Sequence, residues 1–204
     1  MSTRGLFIVF EGLDKAGKTT LAKMVVEKIG KEKILYQKGL CSPTWIGKLS
    51  ARCPSTFIFL IEITYLYWKT YFKRLKGTHA VQDRFFASLA CHLPDVKKIH
   101  NALLIKLGRW LLPHPDVLIY CTVSKEERIK RLKEDGGNEH HQWLIDHHEF
   151  IDFRENLNKN YFTQFEGDKI YIDTSSENTE NSAKKILNLL TKNGRLLNDR
   201  LARC

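Results

Sequence analysis

The stretch Gly5-Leu6-Phe7-Ile8-Val9-Phe10-Glu11-Gly12-Leu13-Asp14-Lys15-Ala16-Gly17-Lys18-Thr19-Thr20 decides the fold. Gly5–Phe10 reads as a buried strand, because a short apolar run bounded by glycine has strand length rather than helix length. Glu11–Lys18 reads as a glycine-bearing loop. Thr19–Ile29 reads as an amphipathic helix, with Leu21, Met24, Val25 and Ile29 on one face. Within the loop, Gly12-Leu13-Asp14-Lys15-Ala16-Gly17-Lys18-Thr19 matches the pattern G-x-x-x-x-G-K-[ST] in full. A chance glycine turn is the competing reading, and a strand before and a helix after the motif argue against it. Glycines let successive backbone N–H groups turn inward around phosphate oxygens. The helix start adds partial positive charge at the same place. Lys18 has the reach for β- and γ-phosphates, and the Thr19 hydroxyl suits Mg²⁺. Gly12, Leu13, Asp14, Lys15, Ala16, Gly17, Lys18, Thr19 and Thr20 are therefore expected to hold a nucleoside triphosphate, with ATP as the default.

Outward from this point strands and helices alternate. Short strands are expected at Lys33–Tyr36, Ala80–Gln82, Val117–Val123 and Lys169–Ile172. Cys41–Pro54 looks irregular, with at most a helical turn around Ile46–Ala51. Thr56–Lys76 reads as a long apolar helix ended by Gly77. Pro94–Leu112 reads as a helix that stops before Pro113. Ser124 with Glu127 three residues on forms a capping box for the next helix. Asp135-Gly136-Gly137-Asn138 breaks the periodicity, His141–Phe162 resumes it as one helix, and Thr179–Leu190 closes the pattern. This alternation implies an α/β protein: a five-stranded parallel sheet with helices on both faces, in one domain over residues 1–204. A weakly patterned tail spans 193–204.

The segment Ala80-Val81-Gln82-Asp83-Arg84 is an apolar strand that ends in an acid and a base. In open parallel sheets the C-terminal strand ends face the ligand crevice. Asp83 there suits Mg²⁺ held through water, and Arg84 suits a phosphate gripped by its planar fork. A surface ion pair at a strand end is the plainer alternative. No N-K-x-D segment for reading guanine is present: Asn158-Lys159 is followed by Asn160-Tyr161.

Phe10-Glu11-Gly12-Leu13-Asp14-Lys15-Ala16-Gly17-Lys18-Thr19-Thr20 resembles the opening segment of thymidylate kinases, F-E-G-x-D-[RK]-x-G-K-[ST]-T. The resemblance continues at Asp83-Arg84-Phe85 with Ser88, at Pro113–Asp116 with the strand after it, and at Ile172-Asp173-Thr174-Ser175. It covers roughly Leu6 to Leu190. It implies the P-loop NTPase fold and a nucleoside monophosphate kinase that passes the γ-phosphoryl group of ATP to an acceptor such as dTMP. It also implies roles for matching positions. Asp14 would bind the sugar 3′-hydroxyl of the acceptor. Lys15 would reach the phosphoryl groups. Arg84 would hold the acceptor phosphate, Phe59 would stack on the acceptor base and Ser88 would face its surroundings. Arg128 and Arg131, in a lid over about 124–145, would close over the donor. Lys15, Lys18, Asp83, Arg84, Arg128 and Arg131 make up the expected catalytic set, and Thr19 with Asp83 the metal set. Relatives usually carry a base-reading arginine four residues after the stacking phenylalanine. This chain has Ile63 there, beside Glu62. The proline-arginine pattern expected after the second strand is also missing, and Lys38 is the charge that remains. Family members form homodimers through helices beside the sheet, and the apolar residues of Thr56–Tyr71 and Leu103–Leu112 suit either that contact or the core.

Two other readings come from different classes. One is a P-loop kinase acting on a deoxynucleoside or another small acceptor. The other is a non-catalytic nucleotide-binding module, for which the formal net charge of +10 is the motive. No dense Lys/Arg block appears, so a nucleic-acid partner is not expected. The longest apolar candidate for a membrane span, Phe57–Trp68, is too short and carries Glu62, and no signal-peptide pattern opens the sequence. Cys41, Cys53, Cys91, Cys121 and Cys204 are odd in number and lack C-x-x-C spacing, which fits free thiols in a reducing cytoplasm. His140, His141, His147 and His148 read as a polar helix face rather than a metal site.

Overall fold

The computed structural model describes residues 4–30, 32, 34–53, 55–86, 88, 110, 112, 114–135 and 139–192. The expected tail, the glycine break at 136–138, Cys91, Cys204 and most of the helix expected over Pro94–Leu112 lie outside the described residues.

Five strands form one parallel sheet: β1 Phe7–Glu11, β2 Ile34–Lys38, β3 His79–Asp83, β4 Val117–Thr122 and β5 Asp168–Asp173. Their spatial order is β2-β3-β1-β4-β5, which sets β1 at the centre between β3 and β4. The register pairs Phe10 with Asp83 and with Ile119, so the ends of β1, β3 and β4 lie at one edge of the sheet. The sequence predicts this sheet, with every strand end within two residues of the observed one.

Alternate side chains of a strand point to opposite faces, so a strand buried on both must be apolar throughout. In β1, Ile8 and Phe10 join one core and Phe7 and Val9 join the other. The first core packs α1 (Lys18–Ile29) and α7 (Thr179–Lys192) on the sheet through Leu21, Val25, Ile186 and Leu190. The second packs α3 (Thr56–Leu75) through Phe59, Ile63 and Tyr67, with Phe165 after α6 (His148–Gln164) beside it. Each fully buried side chain of this kind contributes ~1.5–3 kcal/mol, so both faces of the sheet are strongly specified.

Three elements depart from the sequence pattern. The region expected to be irregular contains α2 (Trp45–Arg52), whose N-cap Thr44 accepts from the Gly47 amide at 3.1 Å. The single helix expected over His141–Phe162 is two, α5 (Glu139–Asp146) and α6, divided at His147. The capping box is half as expected: Ser124 accepts from the Glu127 amide at the start of α4 (Lys125–Glu134), but the Glu127 carboxylate is turned to Arg131.

Candidate active site

The loop after β1 is forced into shape by two glycines. Gly12 has φ +137°, and a Cβ there would lie 2.0 Å from the Cys121 carbonyl oxygen of β4. Only glycine allows β1 to leave the sheet that close to its neighbour. Gly17, at φ +73°, caps α1 without any side-chain bond, and no acidic residue occupies the first turn of α1. The amides at this helix start are thus left to whatever anion arrives. Lys15 also has positive φ, 62°, and its ammonium pairs with Asp135 at the end of α4.

Lys18 is 3% exposed, and its Nζ donates to the Leu13 carbonyl oxygen across the loop. Burial, with help from the nearby Arg84 charge, pushes its pKa down to about 8 against the pull of Asp14 and Asp83. The Thr19 hydroxyl donates to Asp83 Oδ2 at 2.5 Å, and Tyr36 donates to the same oxygen at 3.2 Å. Asp83 Oδ1 is buried and has no hydrogen-bond partner among the described residues. Arg84 stands just beyond β3 at φ 72° with its guanidinium on the Asp14 carboxylate. Burial opposes the charge of Arg84, yet Asp14, Asp83 and Glu11 together raise its pKa.

These groups open onto one cleft of about 510 Å³. Asp14, Lys15, Lys18, Thr19 and Arg84 form one part of its wall, and Arg131, His141, Thr174 and Glu177 the other. Arg131 ties the walls together: it donates to the Lys15 carbonyl oxygen at 3.0 Å, to Thr174 Oγ1 at 3.1 Å and to the Thr174 carbonyl oxygen at 2.7 Å. The late segment Ile172–Ser175 thereby reaches the phosphate loop.

Other expected site residues sit elsewhere. Arg128 is not on the cleft wall. It is buried on the inner side of α4, donating to Glu155 at 3.2 Å and to the Val123 carbonyl oxygen at 3.2 Å. The reason is helical periodicity: Arg128 and Leu132 share the buried face, whereas Arg131 points to the loop. Ser88 is buried, and its hydroxyl donates to Glu11. Phe59 and Ile63 both belong to the core under α3. Glu62 is fully buried, and accepts from the Ser42 amide at 2.7 Å, the Cys41 amide at 3.3 Å and the Ser50 hydroxyl at 2.6 Å. Lys38 is exposed at the end of β2.

Sequence reasoning missed three residues here: Glu11, Tyr36 and His141. His141 was expected on a polar helix face, yet it lines the cleft with its Nδ1 3.6 Å from Asp135. The early signals for Glu11 were its place as the one charged residue in the run Phe7–Glu11 and as the acid of the segment Phe10-Glu11-Gly12. No group of three or more His, Cys, Asp or Glu side chains that could hold a metal occurs among the described residues. No helix among them is long and apolar enough to cross a membrane.

A glycine loop between a central parallel strand and a helix start, with Lys18, Thr19 and Asp83 converging on it, defines the class: a P-loop phosphotransferase of the α/β type. Comparison with known proteins narrows this. No family model matches the chain. A probable thymidylate kinase of Methanococcus vannielii is 29% identical over 140 residues, 62% of this chain and 65% of that protein. The match therefore spans just under two thirds of that relative. A probable thymidylate kinase of Methanococcus aeolicus is 26% identical over 205 residues, 90% of this chain and 95% of that one. The solved thymidylate kinase of Candida albicans, described as having broad substrate specificity, superposes with a TM-score of 0.74 at 20% identity, over 98% of this chain and 97% of that one. That likeness carries the fold. The relatives by sequence are likewise thymidylate kinases by name, so the chain is similar to that family in both sequence and fold.

Proposed function

We propose that the protein is a nucleoside monophosphate kinase that transfers the γ-phosphoryl group of ATP to dTMP, giving dTDP and ADP. The observation that carries this reading is the meeting of two half-sites in one cleft: the phosphate loop with Lys18 and Thr19, and beside it the Arg84–Asp14 pair. A protein that only senses a triphosphate has no use for the second half.

Phosphoryl transfer asks for in-line placement and charge neutralisation more than for covalent chemistry by the protein. The loop amides and Lys18 receive the β- and γ-phosphates. Arg84 turns from Asp14 to grip the acceptor phosphate with its fork, and Asp14 is then free for the sugar hydroxyl. Lys15 leaves Asp135 for the transferring group. Arg131 keeps Thr174 and the loop carbonyl in place around the donor. Thr19 and, through water, Asp83 Oδ1 are the residues that would hold Mg²⁺, whose charge offsets that of the phosphates. The buried, unpartnered Oδ1 beside a hydroxyl supports that fit. The region of α4 and α5, about 124–145, is the lid of this proposal, and residues 1–204 its single kinase domain. A homodimer through the exposed face of α3 and a cytoplasmic location complete the reading.

A wider acceptor range is the second reading. It rests on Ile63, which is fully buried and offers no guanidinium to a base edge. Polar readout rejects wrong substrates far better than an apolar wall. The deciding experiment is a phosphoryl-transfer assay with ATP·Mg²⁺ against all nucleoside monophosphates, with folded Lys18→Ala as control. We expect dTMP among the products' precursors and a loss of at least ~100-fold in the variant. Turnover close to normal in folded Lys18→Ala would falsify the P-loop assignment. Transfer only to nucleosides or to non-nucleotide acceptors would sink the monophosphate reading.

A further inference from the structure

Arg84 occupies a left-handed backbone conformation that its side chain does not favour, with φ 72°. Such a conformation persists only where the surroundings over-determine it. The chain on its two sides shows how. The Arg84 amide donates to the Phe10 carbonyl oxygen at 2.9 Å, and the Arg84 carbonyl oxygen accepts from the Gln82 side chain at 3.2 Å. Immediately afterwards, the Phe85 amide donates to Glu11 Oε1 at 2.9 Å and the Ser88 amide to the same oxygen at 3.2 Å. The Ser88 hydroxyl donates to Glu11 Oε2. Glu11 is 1% exposed and is not part of the cleft wall.

A carboxylate buried this deeply is costly without partners. Burial pushes its pKa up, and the bonds from Ser88 and Phe85 and the charge of Lys18 oppose that rise. Its role in the mechanism above is nil, since neither nucleotide half-site includes it. What it does is hold Phe85 and Ser88 to the end of β1, one residue before the loop glycine Gly12.

We propose that Glu11 is a positioning residue: its carboxylate pins the segment after β3 to the phosphate loop and so aims the Arg84 guanidinium at the acceptor phosphate. This rests on the kinase reading, in which Arg84 grips the acceptor. The pin couples the two half-sites directly, because the strand that carries Glu11 continues as the donor loop. Reach is the property required, and charge is secondary.

Two conservative variants separate reach from charge. Glu11→Asp keeps the charge and withdraws the carboxylate by one methylene, which breaks the bonds to Phe85 and Ser88. Glu11→Gln loses the charge and keeps the reach: its carbonyl accepts from the two amides while its NH₂ donates to the Ser88 hydroxyl. Hydrogen exchange over residues 84–88 reads the pin without reference to activity. Acceptor KM and ATP affinity read the consequence. In Glu11→Asp we expect faster exchange over 84–88, an acceptor KM raised about tenfold and ATP affinity within about twofold of the parent. Glu11→Gln recovers most of the acceptor use and the exchange protection. Faster exchange in Glu11→Asp with an unchanged acceptor KM overturns the proposal and leaves the kinase reading standing. Glu11→Gln as impaired as Glu11→Asp overturns it too, because charge would then be the cause. A parent chain that transfers no phosphoryl group removes the kinase reading, and with it the acceptor role that the pin serves.

Discussion

Lys18 carries two demands that conflict. It must be buried to face the phosphates at close range, and burial removes the water that stabilises its charge. Its pKa of about 8 in the free protein, below the ordinary 10.5, expresses that conflict. The sign for stability follows. A lysine with a lowered folded-state pKa costs stability below about pH 8, and the cost is relieved as pH rises from there toward the unfolded value. Polyphosphate reverses the balance, because it favours the ammonium. We therefore predict that ATP binding takes up protons, and that uptake rises between about pH 7.5 and 8.5 to more than about half a proton per site. Calorimetry in buffers of different ionisation enthalpy measures this. Equal uptake at both pH values, or uptake that survives in Lys18→Ala, would show another group responsible. At Arg84 the property that counts is the fork. Arg84→Lys keeps a charge near Asp14 but loses bidentate geometry, so the acceptor KM should rise by about tenfold or more while ATP affinity stays within about twofold. Collapse of ATP affinity with a normal acceptor KM would move Arg84 to the donor half.

At the scale of elements, α3 shows why a family position cannot be read by counting alone. Its buried stripe is Phe59, Glu62, Ile63, Leu66, Tyr67, Thr70 and Arg74, which recur every three to four residues as a helix face requires. Ile63 sits in the core with Phe7, Val9 and Tyr67. Ile63→Arg, which would supply the arginine that relatives usually carry at this position, should instead bury a charge without a partner. We predict destabilisation of at least ~3 kcal/mol and a Tm lower by roughly 10 °C. A folded variant with normal Tm and sharpened preference for dTMP would return Ile63 to the base pocket. The elements that were legible in the sequence are those whose periodicity is strong: all five strands, α1, α3 and α7. The phosphate loop was legible because glycine positions and Lys18-Thr19 state the chemistry locally. Helix α2 was not, since Trp45 and Leu49 are exposed and its caps, Thr44 and Cys53, give no apolar rhythm. The break at His147 was hidden because the pattern of small apolar contacts continues through Leu144 and Ile151 into one cluster. Arg128 and Glu11 were misjudged for the same reason. Their roles depend on partners about thirty and seventy residues away, Glu155 and the segment after β3, which no local pattern contains.

Over the whole molecule, the two faces of α3 have opposite fates. One seals the core, while Phe57, Ile61, Tyr65, Trp68, Phe72 and Leu75 stand exposed along the other at spacings of three and four residues. They make up half of the large apolar side chains exposed among the described residues. A stripe of this length runs the full 20-residue helix, roughly 30 Å, and monomeric proteins rarely leave such a patch in water. A second copy meeting it about a twofold axis would cover the same residues on both chains at once. Aromatic side chains at the centre of such a contact carry most of its energy. Ile61 and Trp68 are the central pair, one helical step on either side of Tyr65. We predict that the protein sediments as a dimer at micromolar concentration. The double variant Ile61→Glu with Trp68→Glu should sediment as a monomer, because each lost apolar contact removes ~1.5–3 kcal/mol per chain and shifts Kd by more than about 100-fold. Its fold should survive, since both side chains point away from the core, and circular dichroism checks that. A parent chain that stays monomeric at about 100 µM, or a double variant that still sediments as a dimer, would exclude α3 as the contact.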